Sequence, residues 1–269
     1  MNLARRAPAA LSAIVLSLAV HSLAAQTSAA SAPQPGAAAT AQQAAALVTA
    51  FQDKLNLDNG DLSDTFTLVQ KKDGEPDRVL RVRIYRRDAK DTFTLIFQYP
   101  ASEKGKGYWR SKDDLYLYLP TTREFVYRNR KDDVGSTDVR TDLFGKTDLL
   151  SQYDATLDGV AKVATWETDV VRLDAKKLDV SYPIQKWYIR RGDGLPVKVE
   201  NFSAGGVLLR TSYYIEYKEI AKGRYIFTKL LAVDALEKGQ KTYLTNDEIS
   251  TAKIPDYTFS KAFLEEQSR

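Results

Sequence analysis

Cysteine is absent from the 269-residue chain, and histidine occurs once, as His21. That histidine falls in a leader-like segment. Arg5 and Arg6 precede an apolar run from Leu11 to Val20, with the small residues Ser22, Ala24 and Ala25 after it, in the pattern of a cleavable secretory signal peptide. Residues 1–25 are therefore expected to be removed on export, leaving a mature chain that begins near Gln26. Without His or Cys, that chain lacks the materials for Ser-His-Asp and Cys-His catalysis, for thiolate redox work and for ordinary zinc or transition-metal sites. No catalytic residue, metal or cofactor is expected. With no Cys after the signal, a lipoprotein anchor is excluded, and stability must come from a core rather than disulfides, for which about 240 residues suffice.

Long apolar runs are also lacking. The leader's run is shorter than the roughly 20 residues a permanent helical span needs. Charge of one sign is missing as well: the net value is +4, or +2 once Arg5 and Arg6 are removed, and acids and bases alternate along the whole chain. Neither a nucleic-acid stripe nor a polybasic membrane patch stands out, so no nucleic-acid partner is expected.

Residues 26–40 are rich in Ala, Ser, Pro, Gln and Gly and read as a flexible tether. From Ala41 to Leu55, the apolar residues Ala44, Leu47, Val48, Phe51 and Leu55 recur at helical spacing, and Asn59-Gly60 follows as a stop. Beyond Gly60 the period changes to two. Leu80, Val82 and Ile84 alternate with Arg81, Arg83 and Tyr85, while Phe93, Leu95 and Phe97 alternate with polar neighbours, Ile96 being the exception. Strands with one apolar side suit an antiparallel sheet covered on one face. An irregular piece from Lys131 to Ser151 follows, where Thr137 or Asp138 is placed to cap a short helix carrying Leu143, Leu149 and Leu150. Strands are then expected over Thr165–Leu173, Lys186–Arg190, Pro196–Phe202, Val207–Tyr217, Tyr225–Val233 and Gln240–Ile249, before a last helix capped by Ser260. One domain, 41–269, of mainly β (α+β) class accounts for the whole. Roughly ten strands with few helices to cover them either curl tightly or leave an apolar cavity.

The middle of the chain carries a resemblance. It runs Pro100-Ala101, Lys104-Gly105-Lys106-Gly107, then Leu115-Tyr116-Leu117-Tyr118-Leu119-Pro120, an arginine-bearing strand from Arg123 to Arg130, Gly135-Ser136-Thr137-Asp138 and Asp142. Later come Trp187-Tyr188-Ile189, the run from Gly194 to Glu200, and Phe259-Ser260. In this order the motifs resemble the LolA-like outer-membrane lipoprotein-sorting family. The resemblance departs at Val139, where an aromatic is usual, at Tyr116, where a Trp is common, and in the Ala-rich first helix. It implies a strongly curved antiparallel sheet forming an unclosed half-barrel, with an N-terminal helix and a short helical lid over the concave face. It further implies a periplasmic carrier or accessory protein that binds acyl chains of lipids or lipoproteins during envelope transport, with an inner-membrane transporter or outer-membrane receptor as a further partner.

On this reading the candidate ligand-binding residues are Leu80, Val82, Ile84, Phe93, Leu95, Phe97, Trp109, Leu115, Leu117 and Leu119. Packing of an ordinary core competes with that role for all of them, and for the aromatics Trp109, Tyr116, Tyr118 and Tyr127 it is the preferred reading. Arg81, Arg83, Arg86 and Arg87 read as solvated outer-face charges balanced by Asp77, Asp88 and Asp91. Asp132, Asp133, Asp138, Asp142 and Asp148 do not have the spacing of a calcium loop and suit turns and caps. Two other functions stay open: a non-catalytic adaptor of an export or efflux assembly, and an envelope polysaccharide hydrolase using Glu200 and Glu216.

Overall fold

In a computed structural model, residues 35–129, 132–177 and 179–268 are described. The expected signal peptide and residues 26–34 lie outside them. The described chain opens with helix α1 (Pro35–Leu55) and continues as thirteen strands: β1 (Asp61–Lys71), β2 (Arg78–Arg87), β3 (Thr92–Tyr99), β4 (Gly107–Ser111), β5 (Asp114–Leu119), β6 (Glu124–Arg128), β7 (Tyr153–Val163), β8 (Trp166–Ala175), β9 (Ile184–Arg190), β10 (Pro196–Phe202), β11 (Leu208–Ala221), β12 (Arg224–Asp234) and β13 (Lys241–Ser250). A short helix, α2 (Lys261–Gln267), closes it. The first helix begins at Pro35 rather than at Ala41. Proline is at home in the first turn and alanine is the best helix former, so the Ala-rich segment extends the helix backwards.

All thirteen strands form one antiparallel sheet in the order β6-β5-β4-β3-β2-β1-β13-β12-β11-β10-β9-β8-β7. The sheet is not closed: β6 and β7 are its two edges. The chain therefore starts in the middle, builds outward by hairpins to one edge, crosses to the other edge, and returns by hairpins to the middle. Only the connection from β6 to β7 has to cross. Strand β7 lies outside the expected strands because Asp154, Asp158, Gly159 and Lys162 hide its alternation. Such charges suit an edge strand, which has one neighbour and must resist pairing with a second chain.

Period-two alternation sends Phe66 and Leu68 of β1, Leu80, Val82 and Ile84 of β2, Phe93, Leu95 and Phe97 of β3, Tyr108 of β4 and Leu115 of β5 to one face, here called inner. On that face they pack with Val134, Val139 and Phe144 from the crossing segment. At the other end of the sheet, the α1 residues Ala44, Val48 and Phe51 bury themselves completely against Val171, Leu173, Trp187 and Ile189. Phe51 stacks on the Trp187 ring with centroids 4.9 Å apart and planes 12° from parallel. Burial of Val48 and of Phe51 contributes about 1.5–3 kcal/mol each.

Ile96, the exception to its strand's alternation, points to the outer face. There it packs with Tyr118 beneath Leu264 of α2, with Tyr85, Trp109, Phe125 and Phe263 around them. Ser260 caps α2 by accepting the Phe263 amide at 3.1 Å. Gly107 lets the helix approach this closely: a Cβ there would lie 2.5 Å from Leu264 Cδ1 and 2.4 Å from the Leu95 carbonyl.

The four arginines of β2 split into two pairs. Arg81 and Arg83 reach Glu248 on the outer face, as expected of surface charges. Arg86 and Arg87 are buried, correcting the expectation that all four are solvated. Arg86 donates to Asp88 at 2.5 and 2.7 Å and to the Leu55 carbonyl at 3.2 Å, tying the end of α1 to the sheet. Arg87 forks onto Asp61 at 2.6 and 2.8 Å, and its hydrogen bonds hold the Asp61 carboxyl below the usual carboxylate range. A buried charge is retained only when its donors are used in this way.

Candidate functional site

The crossing segment carries the most irregular backbone on the inner face. Residues 132–152 contain no α-helix; two 3-10 turns, Val134–Ser136 and Thr141–Phe144, take the place of the expected capped helix. Gly135 adopts φ +55° and Ser136 φ +61°. A side chain at position 135 would collide with the sheet, since a Cβ there would sit 2.7 Å from Leu80 Cδ1 and 3.1 Å from Phe97. Asp138 caps nothing. Its carboxylate is buried and accepts the Thr242 hydroxyl at 2.7 Å and the Gln240 amide at 2.6 Å, while its own amide donates to Thr242 Oγ1 at 3.3 Å. These side-chain bonds add to turn-like backbone bonds within the segment, such as the Val134 amide to the Val139 carbonyl at 2.7 Å and the Thr141 amide to the Asp132 carbonyl at 3.2 Å.

Charge completes the anchoring. Arg210 on β11 lies 3.3 Å from Asp133, 3.9 Å from Asp138 and 3.8 Å from Asp234, and donates to the Tyr182 hydroxyl at 2.9 Å. Burial pushes the Asp133 carboxyl up in spite of its arginine neighbours. Asp142 accepts the Ser181 hydroxyl at 2.5 Å. Among the described residues no group of three or more His, Cys, Asp or Glu side chains could hold a metal ion. Asp132, Asp133, Asp138 and Asp142 are occupied with arginines, hydroxyls and the Gln240 amide.

Between the crossing segment and the end of α1 lies a cavity of about 170 Å³. Leu55 of α1 and Leu143, Phe144 and Leu149 of the crossing segment bound it on one side; Phe66, Ile84, Trp187, Tyr214, Phe227 and Leu230 of the sheet bound it on the other. Tyr214 joins the two halves of the inner face: its ring is 6.4 Å from Trp187 and stacked, and 5.6 Å from Phe227 and edge-on. Burial pushes its hydroxyl well above the ordinary tyrosine range. Arg140, Asp142, Lys146, Ser181 and Arg210 also line the space. Among these, Asp142 and Lys146 are exposed. The space is thus apolar and aromatic over much of its wall, with charged groups from the crossing segment beside it.

The candidate residues read from the sequence divide among three places. Ile84 lines the cavity. Leu80, Val82, Phe93, Leu95, Phe97 and Leu115 lie in the packed core beneath Val134, Val139 and Phe144, and Leu117 packs against that core half-buried. Leu119 is half-buried at the end of β5. Trp109 faces the other way: its indole N–H donates to the Phe259 carbonyl at 2.8 Å, and Lys261 stands 5.3 Å from its ring. Glu200 and Glu216 are each engaged by lysine, at 2.5 Å from Lys198 and 2.6 Å from Lys229. The bonds from Lys229 and Thr228 hold the Glu216 carboxyl below its usual range, the opposite of what a general acid needs.

Sequence reasoning missed most of the cavity wall, because that wall comes from β9 to β12 while attention fell on β2 to β5. It also missed Asp64. The signal for Asp64 was present: Leu62, Asp64, Phe66 and Leu68 share one parity on β1, which puts a carboxylate on the inner face.

No curated protein matches the sequence. In shape, the chain is similar to a LolA superfamily protein from Nitrosomonas europaea, with a TM-score of 0.72 at 18% identity over 82% of this chain and 98% of that one. A domain described as an outer membrane lipoprotein-sorting protein, from Vibrio parahaemolyticus, aligns with a TM-score of 0.75 at 17% identity over 84% and 99%. A DUF1329 family protein from Desulfovibrio piger gives 0.74 at 17% identity, again over 84% and 99%. These similarities carry the fold: an unclosed antiparallel sheet whose inner face is covered by an N-terminal helix and a crossing segment. A family model described only as that of an uncharacterized protein matches residues 89–266, about two thirds of the sequence. The chain belongs to the family of that model, and its fold is the LolA-like one of these solved structures.

Proposed function

We propose that the protein is a non-enzymatic carrier or accessory protein of the bacterial envelope that takes an acyl chain of a lipid or lipoprotein onto the inner face of its sheet. The observation that supports this most is the cavity between α1 and the crossing segment, floored by Trp187, Tyr214, Phe227 and Leu230. At about 170 Å³ it is smaller than the roughly 300–1,000 Å³ of a typical ligand pocket. A long chain therefore enters only if a cover withdraws. The crossing segment is the cover suited to do so, since it lacks regular backbone hydrogen bonding and is pinned through a few side chains. Cargo then replaces Val139, Leu143 and Phe144 over the sheet, the apolar area hidden from water changes little, and transfer stays reversible.

Periplasmic work fits the secretory leader pattern read in the sequence and the sorting role named for the Vibrio relative. Among the described residues no helix is long and apolar enough to cross a membrane. Native mass spectrometry of protein purified from an envelope extract, with uptake of a fluorescent acyl probe, tests the reading. Co-purified lipid and saturable uptake are expected, and Ser212→Trp, which fills the cavity from β11, should abolish uptake while the far-ultraviolet spectrum is kept. Absence of both lipid and uptake in the unaltered protein overturns it.

A further inference from the structure

The inner face carries one carboxylate whose role the packing does not explain. Asp64 sits on β1 between Leu62 and Phe66, opposite Ile84 on β2, and lines the cavity while being only 1% exposed. Its Oδ2 accepts the side-chain amide of Asn246 on β13 at 3.0 Å. Asn246, itself 5% exposed, spends the same amide nitrogen on the Phe227 carbonyl at 3.4 Å. Both contacts of that nitrogen are to acceptors, which sets the orientation of the amide: turned over, its oxygen would face two oxygens. Two buried acceptors then remain, Asp64 Oδ1 and Asn246 Oδ1, and neither has a hydrogen-bond partner among the described residues.

The cations nearby are committed elsewhere. Arg86 is engaged by Asp88, the Leu55 carbonyl and Asn56. Arg83 is on the outer face with Ser63, Thr65 and Glu248. Burial pushes the Asp64 carboxyl up to about 7, against the pull of Asn246, Arg86 and Arg83. A group buried this way gains most from an added donor, which would draw its pKa back down. Above pH 7, where Asp64 is ionised, a carboxylate or phosphate oxygen brought to the same place would set acceptor against acceptor.

We infer that Asp64, held by Asn246 behind it, forms a recognition site in the cavity wall for a hydrogen-bond donor, a hydroxyl or an amine, carried by an otherwise apolar cargo. The inference rests on the carrier reading and narrows it. Hydrocarbon contacts with Leu62, Phe66, Ile84 and Phe227 accept any chain, and the unsatisfied Asp64 oxygen selects chains that bring a donor. Discrimination of this kind is strong because the penalty for the wrong ligand is a pair of polar groups left unsatisfied.

The test, run above pH 7 where Asp64 is ionised, is a binding series with decanol, decylamine, decanoate and decane, followed by isothermal titration and by native mass spectrometry on the full chain. Decanol and decylamine should bind about tenfold or more tightly than decanoate and decane. Equal binding of the alcohol and the amine assigns recognition to the donor alone, and preference for the amine adds ion pairing with Asp64; both support the site. In Asp64→Leu the preference should vanish while decane still binds. Asn246→Leu makes the same prediction independently, should the first variant fold poorly. Equal binding of all four compounds, or a preference for decanoate, overturns the donor site and leaves the carrier reading standing. Failure of all four to bind overturns both.

Discussion

The inner face has two covers of opposite kind. Helix α1 satisfies its own backbone and is held mainly by apolar side chains, with Ala44, Val48 and Phe51 fully buried. The crossing segment has its apolar residues too, Val134, Val139 and Phe144, but its backbone is irregular and its position depends on Asp138, Asp133 and Arg210. An apolar contact weakens gradually as surfaces part, whereas a polar pin is either made or lost. The helix is thus suited to stay and the crossing segment to move, in keeping with the rule that mobile elements come from the less regularly bonded parts of a fold. On the proposed carrier reading, a single sheet in this way keeps one half permanently packed and leaves the boundary between the halves for cargo.

The contrast can be broken most forcibly at the helix. Phe51→Ala removes the stack on Trp187 and opens a void under α1, so a loss of about 3–5 kcal/mol is expected in chemical denaturation. Hydrogen exchange should then rise along α1 and β9 before it rises in the crossing segment. An equal rise in both would show that the two covers form a single cooperative unit.

Acidity acts where the covers meet, since the cavity that Asp64 lines is bounded by Leu55 of α1 and Leu143 of the crossing segment. Folded Asp64 titrates at about 7 against 3.8 for the free side chain. Between those values the native state holds a proton that the unfolded state has released, so stability falls as pH rises, by at most about 4 kcal/mol, and is level above pH 7. Melting curves across this range should show that slope, and Asp64→Asn should remove its share of it and leave the variant the more stable protein above neutrality.

At the crossing segment, Asp138→Ala leaves Thr242, Gln240 and Arg210 short of a partner in a buried place. A cost of about 2 kcal/mol is expected, with faster exchange of the Val134 and Thr137 amides and unchanged protection in α1. Uptake of an acyl probe should become faster, because a pin of the movable cover is gone. Gly135→Ala should have the smallest effect, about 1 kcal/mol, from a left-handed φ and a Cβ pressed on Leu80. Its exchange signature should again be confined to the crossing segment.

Much of this architecture is legible in single elements of the sequence. The parity of Leu80, Val82 and Ile84 against Arg81 and Arg83 separates the two faces of β2, and the spacing of Ala44, Val48 and Phe51 marks the buried stripe of α1. Ile96 reads as an irregularity and turns out to be the contact under α2, a helix far away in the chain. Arg86 and Arg87 look no different from Arg81 and Arg83 in sequence. They differ only because α1 and the segment around Ile254 and Asp256 close over the end of β2, and nothing local to β2 announces either.

What the sequence determined by itself is therefore the inventory and the local periods: no cysteine, no histidine beyond position 21, one amphipathic helix, a long succession of hairpins and an irregular stretch between them. These follow from chain chemistry within a few residues. Tertiary structure alone decided what the irregular stretch is for. Because β1 pairs with β13 in the middle of an open sheet, the connection from β6 to β7 has to traverse the inner face, and its glycine and aspartates are the means of lying flat on apolar strands. The same pairing brings Asn246 beside Asp64, across 182 positions of sequence, and so leaves two buried oxygens unsatisfied, one of them, on Asp64, in the wall of the cavity.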